Sequence, residues 1–528
     1  MDRNQLIAPE TYNISQEFEK FTKVDRLAVK FLTEQGEESS ITYSELTARA
    51  NQFASALKAQ GIEEGERVLV LLPRSIEAYI TYFACLKAGI VVIPCSEMLR
   101  AKDLAYRINH GEAKAIISYH LYVSEVDNIN EDIPTLAYKF VVGDNVDGYL
   151  RLDELANEQS KEFECAKTTR DDMAFLSYTS GTTGNPKGVV HTHGWGFAHI
   201  EVASKMWLDV KEGDVVWATA GPGWQKWIWS PFLSILGLGA TALVYQGKFD
   251  PNKYLQLLQD NDVNVLCCTP TEYRLMAKVD NISDYNLSKL RSSVSAGEPL
   301  NREVIDTFKR EFNVDVRDGY GQTENTLLVG TLLGMEIKAG SMGKPTPGNE
   351  VAIINEDGKP VAQGEVGDIA VHKDAPALFK KYYKDPEKTA MAFRGDYYVT
   401  GDQAKMDEDG YFWFEGRNDD IIISSGYTIG PFEVEDALTK HPAVKECAVV
   451  ASPDEVRGNV VKAFIVLRNP DIAGETLIKE LQEHVKTLTA PYKYPRKVDF
   501  VSDLPKTISG KIRRVELRKK EQEQALKS

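Results

Sequence analysis

Cysteine is scarce in this chain of 528 residues, and the six present, Cys85, Cys95, Cys165, Cys267, Cys268 and Cys447, form no CxxC spacing and no metal-like grouping with the eight histidines. That excludes a disulfide-scaffolded secreted domain, argues against structural zinc, and favours free thiols in a reducing compartment, the cytoplasm. A basic excess is also missing. With 62 Lys and Arg against 78 Asp and Glu, the net charge of −16 excludes nucleic-acid binding by bulk electrostatics. Phe232 to Tyr245, the longest apolar stretch, falls short of the ~20 residues that span a bilayer and contains two glycines, so it reads as buried core. The opening MDRNQLIAPETYN lacks the charged-then-apolar layout of an export signal. Neither internal repeats nor low-complexity tracts occur.

What is present is a large apolar fraction, 43%, in a chain too long for one core, since single cores stop growing at roughly 250–300 residues. Leu46, Ala50, Phe53 and Leu57 recur at helical spacing. RVLVLLP (67–73), a helix-like SIEAYITYFACLKAG and IVVIPC follow as strand, helix, strand. The rhythm returns in DVVWATAG (214–221), GATALVYQG (239–247), VNVLCCTP (263–270) and VDVRDGYG (314–321). This predicts an α/β fold with mostly parallel sheets covered by helices. Near residue 419 the grammar changes to IIIS, a helix opened by Pro431, VKECAVVAS, VVKAFIVL, ETLIKELQEHVKTL and KVDFVS. Residues 419–528 carry 18 basic and 17 acidic side chains, so the acidity belongs to residues 1–418. The expected division is a large multi-subdomain N-terminal domain, 1–418, and a small α+β C-terminal domain, 419–528. RRVELRKKEQEQALKS reads most simply as a solvated helix.

Five segments carry chemistry. SYTSGTTGNPKGVVHTH (177–193) places glycines and hydroxyls ahead of Lys187, a set that can cradle phosphate or make a flexible turn; it is not a Walker loop, because no Ser or Thr follows the lysine. SAGEPL (295–300) and DGYGQTE (318–324) end strand-like runs, where ligands gather on parallel sheets. Thr323 could hold phosphate and Glu324 a Mg2+, or Asp318 and Glu324 could be turn and cap residues. Asp402 in TGD and Arg417 in GRNDD suit a ribose and its charge, or a hairpin ion pair. LPKTISGKIRR (504–514) offers Lys511 after a Ser-Gly turn, or one more exposed lysine.

Together, YTSGTTGNPKG, SAGEP, GYGQTE, TGD with GRNDD, and PKTISGK resemble the adenylate-forming acyl-CoA synthetases, from about residue 30 to the C-terminus. The resemblance is to the medium-chain branch, including bacterial methylbutyryl-CoA and acetyl-CoA synthetase-like proteins. It implies ATP, Mg2+ and coenzyme A. Thr179, Ser180, Gly181, Thr182, Thr183, Gly184 and Lys187 would hold the phosphates. Gly297, Glu298, Pro299 and Asp318, Gly319, Tyr320, Gly321, Gln322 and Thr323 would form the adenine and α-phosphate side. Glu324 would reach the metal, Asp402 the ribose and Arg417 the nucleotide. Lys511 would be the adenylation lysine, open to a lysine acetyltransferase and deacetylase, and Asp419 the hinge on which a mobile C-terminal domain turns. Ser425, Gly426, Tyr427, Arg457, Lys486 and Tyr494 would meet coenzyme A. The branch reads SGYRIGPFE where this chain has SGYTIGPFE, so Thr428 replaces a guanidinium that helps hold nucleotide.

GPGWQKWIWSPF (221–232) corresponds to the acyl-pocket segment. Trp224, Trp227 and Trp229 could wall it, Trp224 foremost, or simply pack. The aspartate that amino-acid-activating relatives place here is missing. Acetate-restricted relatives carry Trp at the position of Gly321, so glycine there implies a deeper slot. The expectation is a short-to-medium, linear or branched aliphatic acid; the alternatives are an aryl acid or a catalytically silent nucleotide-binding regulator.

Overall fold

The computed structural model describes residues 1–179, 185–297, 300, 302–417, 420–424, 427–454, 457–489, 491–506 and 512–525, with Tyr427, Thr428 and Gly458 described by backbone alone. Packing divides the chain into two compact units, residues 1–351 with 371–393, and residues 352–370 with 394–528. The hairpin before residue 418 thus packs with the C-terminal residues, ahead of the change in charge and grammar at 418/419.

The first unit holds two sheets. In one, the strands run in the order Lys381–Tyr382, Lys187–Thr192, Met173–Thr179, Val91–Pro94, Arg67–Leu71, Ala113–Tyr119, Tyr138–Val142 and Leu150–Arg151. All neighbours are parallel except those at the Lys187–Thr192 strand, which pairs antiparallel on both sides. The nine-stranded sheet has a parallel centre in the order Val316–Gly321, Ser292–Ala296, Val265–Cys267, Val215–Ala218, Thr241–Gln246 and Leu27–Thr33. Antiparallel strands Leu327–Gly330 and Glu38–Thr42 flank it.

Strand periodicity explains the layers. Val68 and Val70 enter the main core while Leu69 and Leu71 enter a second cluster on the opposite face, and Val216 and Ala218 face away from Trp217 in the same manner. The core between the sheets is filled by helices Tyr43–Ala59 and Ile76–Lys87; the first is opened by a Thr42–Glu45 capping box. Outer helices Ala101–Gly111, Pro251–Asp260 and Arg302–Phe312 cover the far faces, so each central strand is buried on both sides and reads as a short apolar run.

Most residues of a five-stranded sheet, Val351–Ile354, Gly367–His372, Tyr397–Met406 and Phe393–Arg394 with Phe412–Arg417 paired to Tyr397–Met406, belong to the second unit. Its C-terminal part has the hairpin Ile422–Ser424 with Tyr427–Ile429, a three-stranded sheet of Val444–Asp454, Gly458–Leu467 and Lys497–Phe500, and helices Pro431–Thr439, Glu475–Leu488 and Arg514–Ala525. The last helix departs from the solvated expectation. Its Glu521 is buried against Lys462 at 2.7 Å, and its Arg514 pairs with Glu435 at 2.6 Å. Among the described residues, no helix is long and apolar enough to cross a membrane.

Candidate active site

Lys187 opens the strand Lys187–Thr192, in register opposite Thr179. The loop between them, Ser180, Gly181, Thr182, Thr183 and Gly184, lies outside the described residues. On the other sheet, the strand Val316–Gly321 runs into Gln322, Thr323 and Glu324, and this loop meets Lys187. The Lys187 ammonium lies 3.5 Å from Glu324 Oε1. Tyr382 joins them: its hydroxyl donates to Glu324 Oε1 at 2.8 Å and accepts from Lys187 Nζ at 3.2 Å, and the ammonium stands 4.6 Å from its ring centre. Glu324 and Tyr382 are buried, and the carboxylate is held by an ion pair and a charge-assisted hydrogen bond.

Three further contacts fix the loop. Phe379 N donates to Glu324 O at 2.7 Å, and Gln322 N to Asn325 Oδ1 at 2.7 Å. His191, fully buried on the Lys187 strand, donates Nε2–H to Thr323 O at 2.5 Å; burial pushes its pKa down to about 3, so the ring stays neutral. Rings then stack from His191 through Trp195 to His199, which binds Thr326 Oγ1 through Nδ1 and Trp229 O through Nε2.

Asp318 is buried at the end of its strand. One carboxylate oxygen accepts from Gly319 N at 2.8 Å and the other from Leu300 N at 3.4 Å, tying the SAGEPL loop to DGYGQTE. Burial pushes its pKa up to about 7 against the opposing effect of these two N–H groups. Gly297 has φ +110°, a backbone that glycine tolerates at little cost; Glu298 and Pro299 lie outside the described residues. Tyr320, Gly321, Gln322 and Thr323 are half-buried, and Gly319 is buried against Trp207.

Gly321 lies against the Leu327–Gly330 side of the loop and beside Trp229. A Cβ there would stand 2.2 Å from Thr326 O and 3.1 Å from Trp229 Cη2, so the volume a side chain would need is already taken by backbone and by the edge of the Trp229 ring. The three tryptophans separate: Trp227 stacks on Phe232 in the core, Trp224 is 37% exposed, and Trp229, 7% exposed, borders Gly321.

In the second unit, Asp402 and Arg417 are register partners on neighbouring strands, with Arg417 Nε 3.9 Å from Asp402 Oδ1. Tyr494 is flanked by Lys486 at 4.4 Å and Arg496 at 4.7 Å from its ring centre, and Arg496 donates to its hydroxyl at 2.7 Å. Arg457 is exposed at the turn between Val444–Asp454 and Gly458–Leu467, its N–H donating to Asp454 at 2.9 Å. The backbone of Tyr427 pairs with Ser424. Asp419, Ser425, Gly426 and Lys511 lie outside the described residues, as does the Thr428 side chain.

The AMP-binding enzyme model matches residues 17–383, and the AMP-binding enzyme C-terminal domain matches residues 433–511. The chain belongs to the AMP-binding enzyme family. It is 59% identical over 526 residues to an uncharacterized acyl-CoA ligase, YtcI, of Bacillus subtilis, covering 99% of this chain and 98% of that one. It is 42% identical to the human mitochondrial acyl-coenzyme A synthetase ACSM3, over 98% and 91% of the two chains. The crystal structure of the anthranilate CoA ligase AuaEII with anthranoyl-AMP superposes at TM-score 0.91, with 30% identity and full coverage of both chains. ATP-bound MatB from Rhodopseudomonas palustris superposes at 0.85, with 27% identity over 96% and 99%. The protein is an AMP-forming acyl-CoA ligase of the adenylate-forming superfamily, medium-chain branch, a class that uses ATP, Mg2+ and coenzyme A.

The donors suit Mg2+ that arrives on a nucleotide. Among the described residues no three His, Cys, Asp or Glu side chains gather as a resident metal site, and Glu324 is a single hard carboxylate, which Mg2+ accepts when phosphates and water complete its shell. Sequence reasoning missed Tyr382, His191 and His199. Tyr382 sits in KKYYKDPEKT, which reads as a charged loop, and only its pairing with the Lys187 strand brings it to Glu324.

Proposed function

We propose that this ligase activates a short-to-medium aliphatic carboxylate, linear or branched, through an acyl adenylate. The observation that carries the reading is the apolar edge of Trp229 against Gly321, two residues from Thr323 and with no acidic side chain between 221 and 232 to receive an ammonium. Lys187 and the Thr179–Gly184 loop hold the phosphates, Gly297 to Pro299 and Asp318 to Thr323 the adenine side, and Asp402 and Arg417 the ribose and nucleotide. Glu324 would hold Mg2+, which would offset phosphate charge. A substrate carboxylate oxygen bonds to the α-phosphorus as pyrophosphate leaves, with Lys511 and Thr323 stabilising the charge on the equatorial oxygens. The coenzyme A thiolate then attacks the acyl carbon and AMP departs. Rotation of residues 419–528 about Asp419 separates the half-reactions, and Tyr427, Arg457, Lys486 and Tyr494, with Ser425 and Gly426, meet the thiol substrate. Arg496, beside Tyr494, joins this set. Acetylation of Lys511 would silence adenylation by removing its charge. Free cysteines throughout suit a reducing, cytoplasmic setting.

An aryl acid is the second reading, favoured by the Trp229 ring edge beside Gly321 and by the likeness to the anthranilate ligase. AMP release from C2 to C10 linear and branched acids, benzoate and anthranilate decides between them. Highest kcat/KM on a C4 to C8 aliphatic acid is expected; highest kcat/KM on benzoate or anthranilate would replace the aliphatic reading.

A further inference from the structure

The Lys187 ammonium and the Glu324 carboxylate are close enough to collapse into a tight pair, which would compete with both phosphate and Mg2+. They stand 3.5 Å apart, and the Tyr382 hydroxyl bridges them from one side, bound to Glu324 Oε1 at 2.8 Å and to Lys187 Nζ at 3.2 Å, so that each charge has a second partner besides the other. We propose that Tyr382 is a positioning residue that keeps Lys187 and Glu324 separately usable and so makes nucleotide and Mg2+ uptake mutually dependent. The inference rests on the reading that Lys187 takes phosphate and Glu324 the metal.

The phenol is well fixed for this work. The strand Lys381–Tyr382 pairs with Val189 and Val190 on the same strand that carries Lys187. Tyr382 N donates to Thr389 Oγ1 at 3.0 Å, its ring lies 4.7 Å from that of Phe379, and only 4% of the residue is exposed. Phe379 in turn holds the Glu324 carbonyl, so one short segment, Phe379 to Tyr382, fixes the Glu324 backbone and one of its carboxylate oxygens. Lys187 is then held by a long ion pair, a hydroxyl lone pair and a ring face, each weaker than a direct short salt bridge. Glu324 releases the ammonium to phosphate at least cost when a divalent cation replaces it, and the lysine's move to phosphate leaves the carboxylate for that cation. Such reciprocity is what coupled binding requires.

The test is calorimetric titration of the full-length Tyr382→Phe variant with ATP in excess Mg2+ and with ATP in EDTA. Phenylalanine keeps the ring under Lys187 and removes only the hydroxyl. Loss of the hydroxyl lets Lys187 and Glu324 close into a tighter pair, so metal-free ATP, which has no cation to take Glu324 and free the lysine, should weaken about 10- to 100-fold, while MgATP changes by less than about 3-fold. Equal weakening of both titrations, as a merely structural residue would give, or no change in either, overturns the proposal. Should this variant fail to fold, Lys187→Met gives a second measurement: with no ammonium to displace from Glu324, the advantage of MgATP over metal-free ATP should shrink relative to the parent protein, and an unchanged advantage overturns the coupling. Glu324→Gln separates the two levels. If it binds MgATP as the parent does, the site reading itself fails; if it loses the Mg2+ advantage while Tyr382→Phe keeps it, only the role of Tyr382 fails.

Discussion

Replacing Gly321 by alanine puts two explanations of this glycine in direct competition. The added methyl would stand 2.2 Å from Thr326 O, whereas real Cβ contacts essentially never fall under 3.0 Å, so the carbonyl or the strand must retreat by about 1 Å. Thr326 cannot retreat easily: it is fully buried and its hydroxyl is bound to His199 Nδ1. Overpacking typically costs ~1–3 kcal/mol, partly offset by the ~0.4–1 kcal/mol that alanine gains by restricting the unfolded chain where φ is not positive. Net destabilisation should therefore be modest, about 1–2 kcal/mol by chemical denaturation. Activity should suffer more. The same loop carries Thr323 and Glu324, and a displacement of about 1 Å at a reacting centre costs about 100-fold. Measured as AMP release, kcat/KM should fall by a similar factor on acetate, hexanoate and benzoate. If acetate were spared while hexanoate lost activity, Gly321 would be the floor of an open slot and the close-approach reasoning would be refuted.

Trp229→Leu should instead change preference: removing the ring edge beside Gly321 should raise kcat/KM for eight- to ten-carbon acids relative to butyrate by roughly 10-fold, and an unchanged chain-length profile would remove Trp229 from the acyl wall. Asp318 titrates near 7 when folded against roughly 4 when unfolded, so the folded state holds an extra proton between those values; this contribution is present below about pH 4 and lost as pH rises through about 7. Compared with Asp318→Asn, the parent should lose about 4 kcal/mol of stability between pH 4 and pH 8, and parallel pH curves would contradict the burial argument. Glu521→Gln strands the buried Lys462 charge and should cost about 3 kcal/mol, read as a lower melting temperature of the C-terminal unit; a change under about 0.5 kcal/mol would mean that Asp499, 2.8 Å from Lys462, suffices alone.

The parallel sheets were legible because their strands are buried on both faces. RVLVLLP, IVVIPC and GATALVYQG are apolar runs bounded by turns, and they appear as Arg67–Leu71, Val91–Pro94 and Thr241–Gln246. The C-terminal strands and helices were legible on the same grounds. The encounter of Lys187 with Glu324 was half legible: the motifs carry both residues, but only the folding of two sheets toward each other brings them within 3.5 Å. Tyr382 gave no signal, since a tyrosine amid lysines looks solvated until its strand pairing is known. Glu521 and Lys462 failed for the converse reason: each reads as surface, and burial is tolerable because each finds partners there, Lys462 in Glu521 and Asp499 and Glu521 in Lys462 and Ser452. What surrounds Gly321 was not legible, because sequence position says which side chain is absent and not that Thr326 O and the Trp229 ring edge lie beside it.

The central claim, formation of an acyl adenylate at this site, is tested most directly by carboxylate-dependent exchange of labelled pyrophosphate into ATP in the absence of coenzyme A. The account predicts exchange that requires Mg2+, is strongest with a C4 to C8 aliphatic acid, and falls at least about 100-fold in Glu324→Gln. No exchange with any acid in the panel, or full exchange in Glu324→Gln, would contradict it.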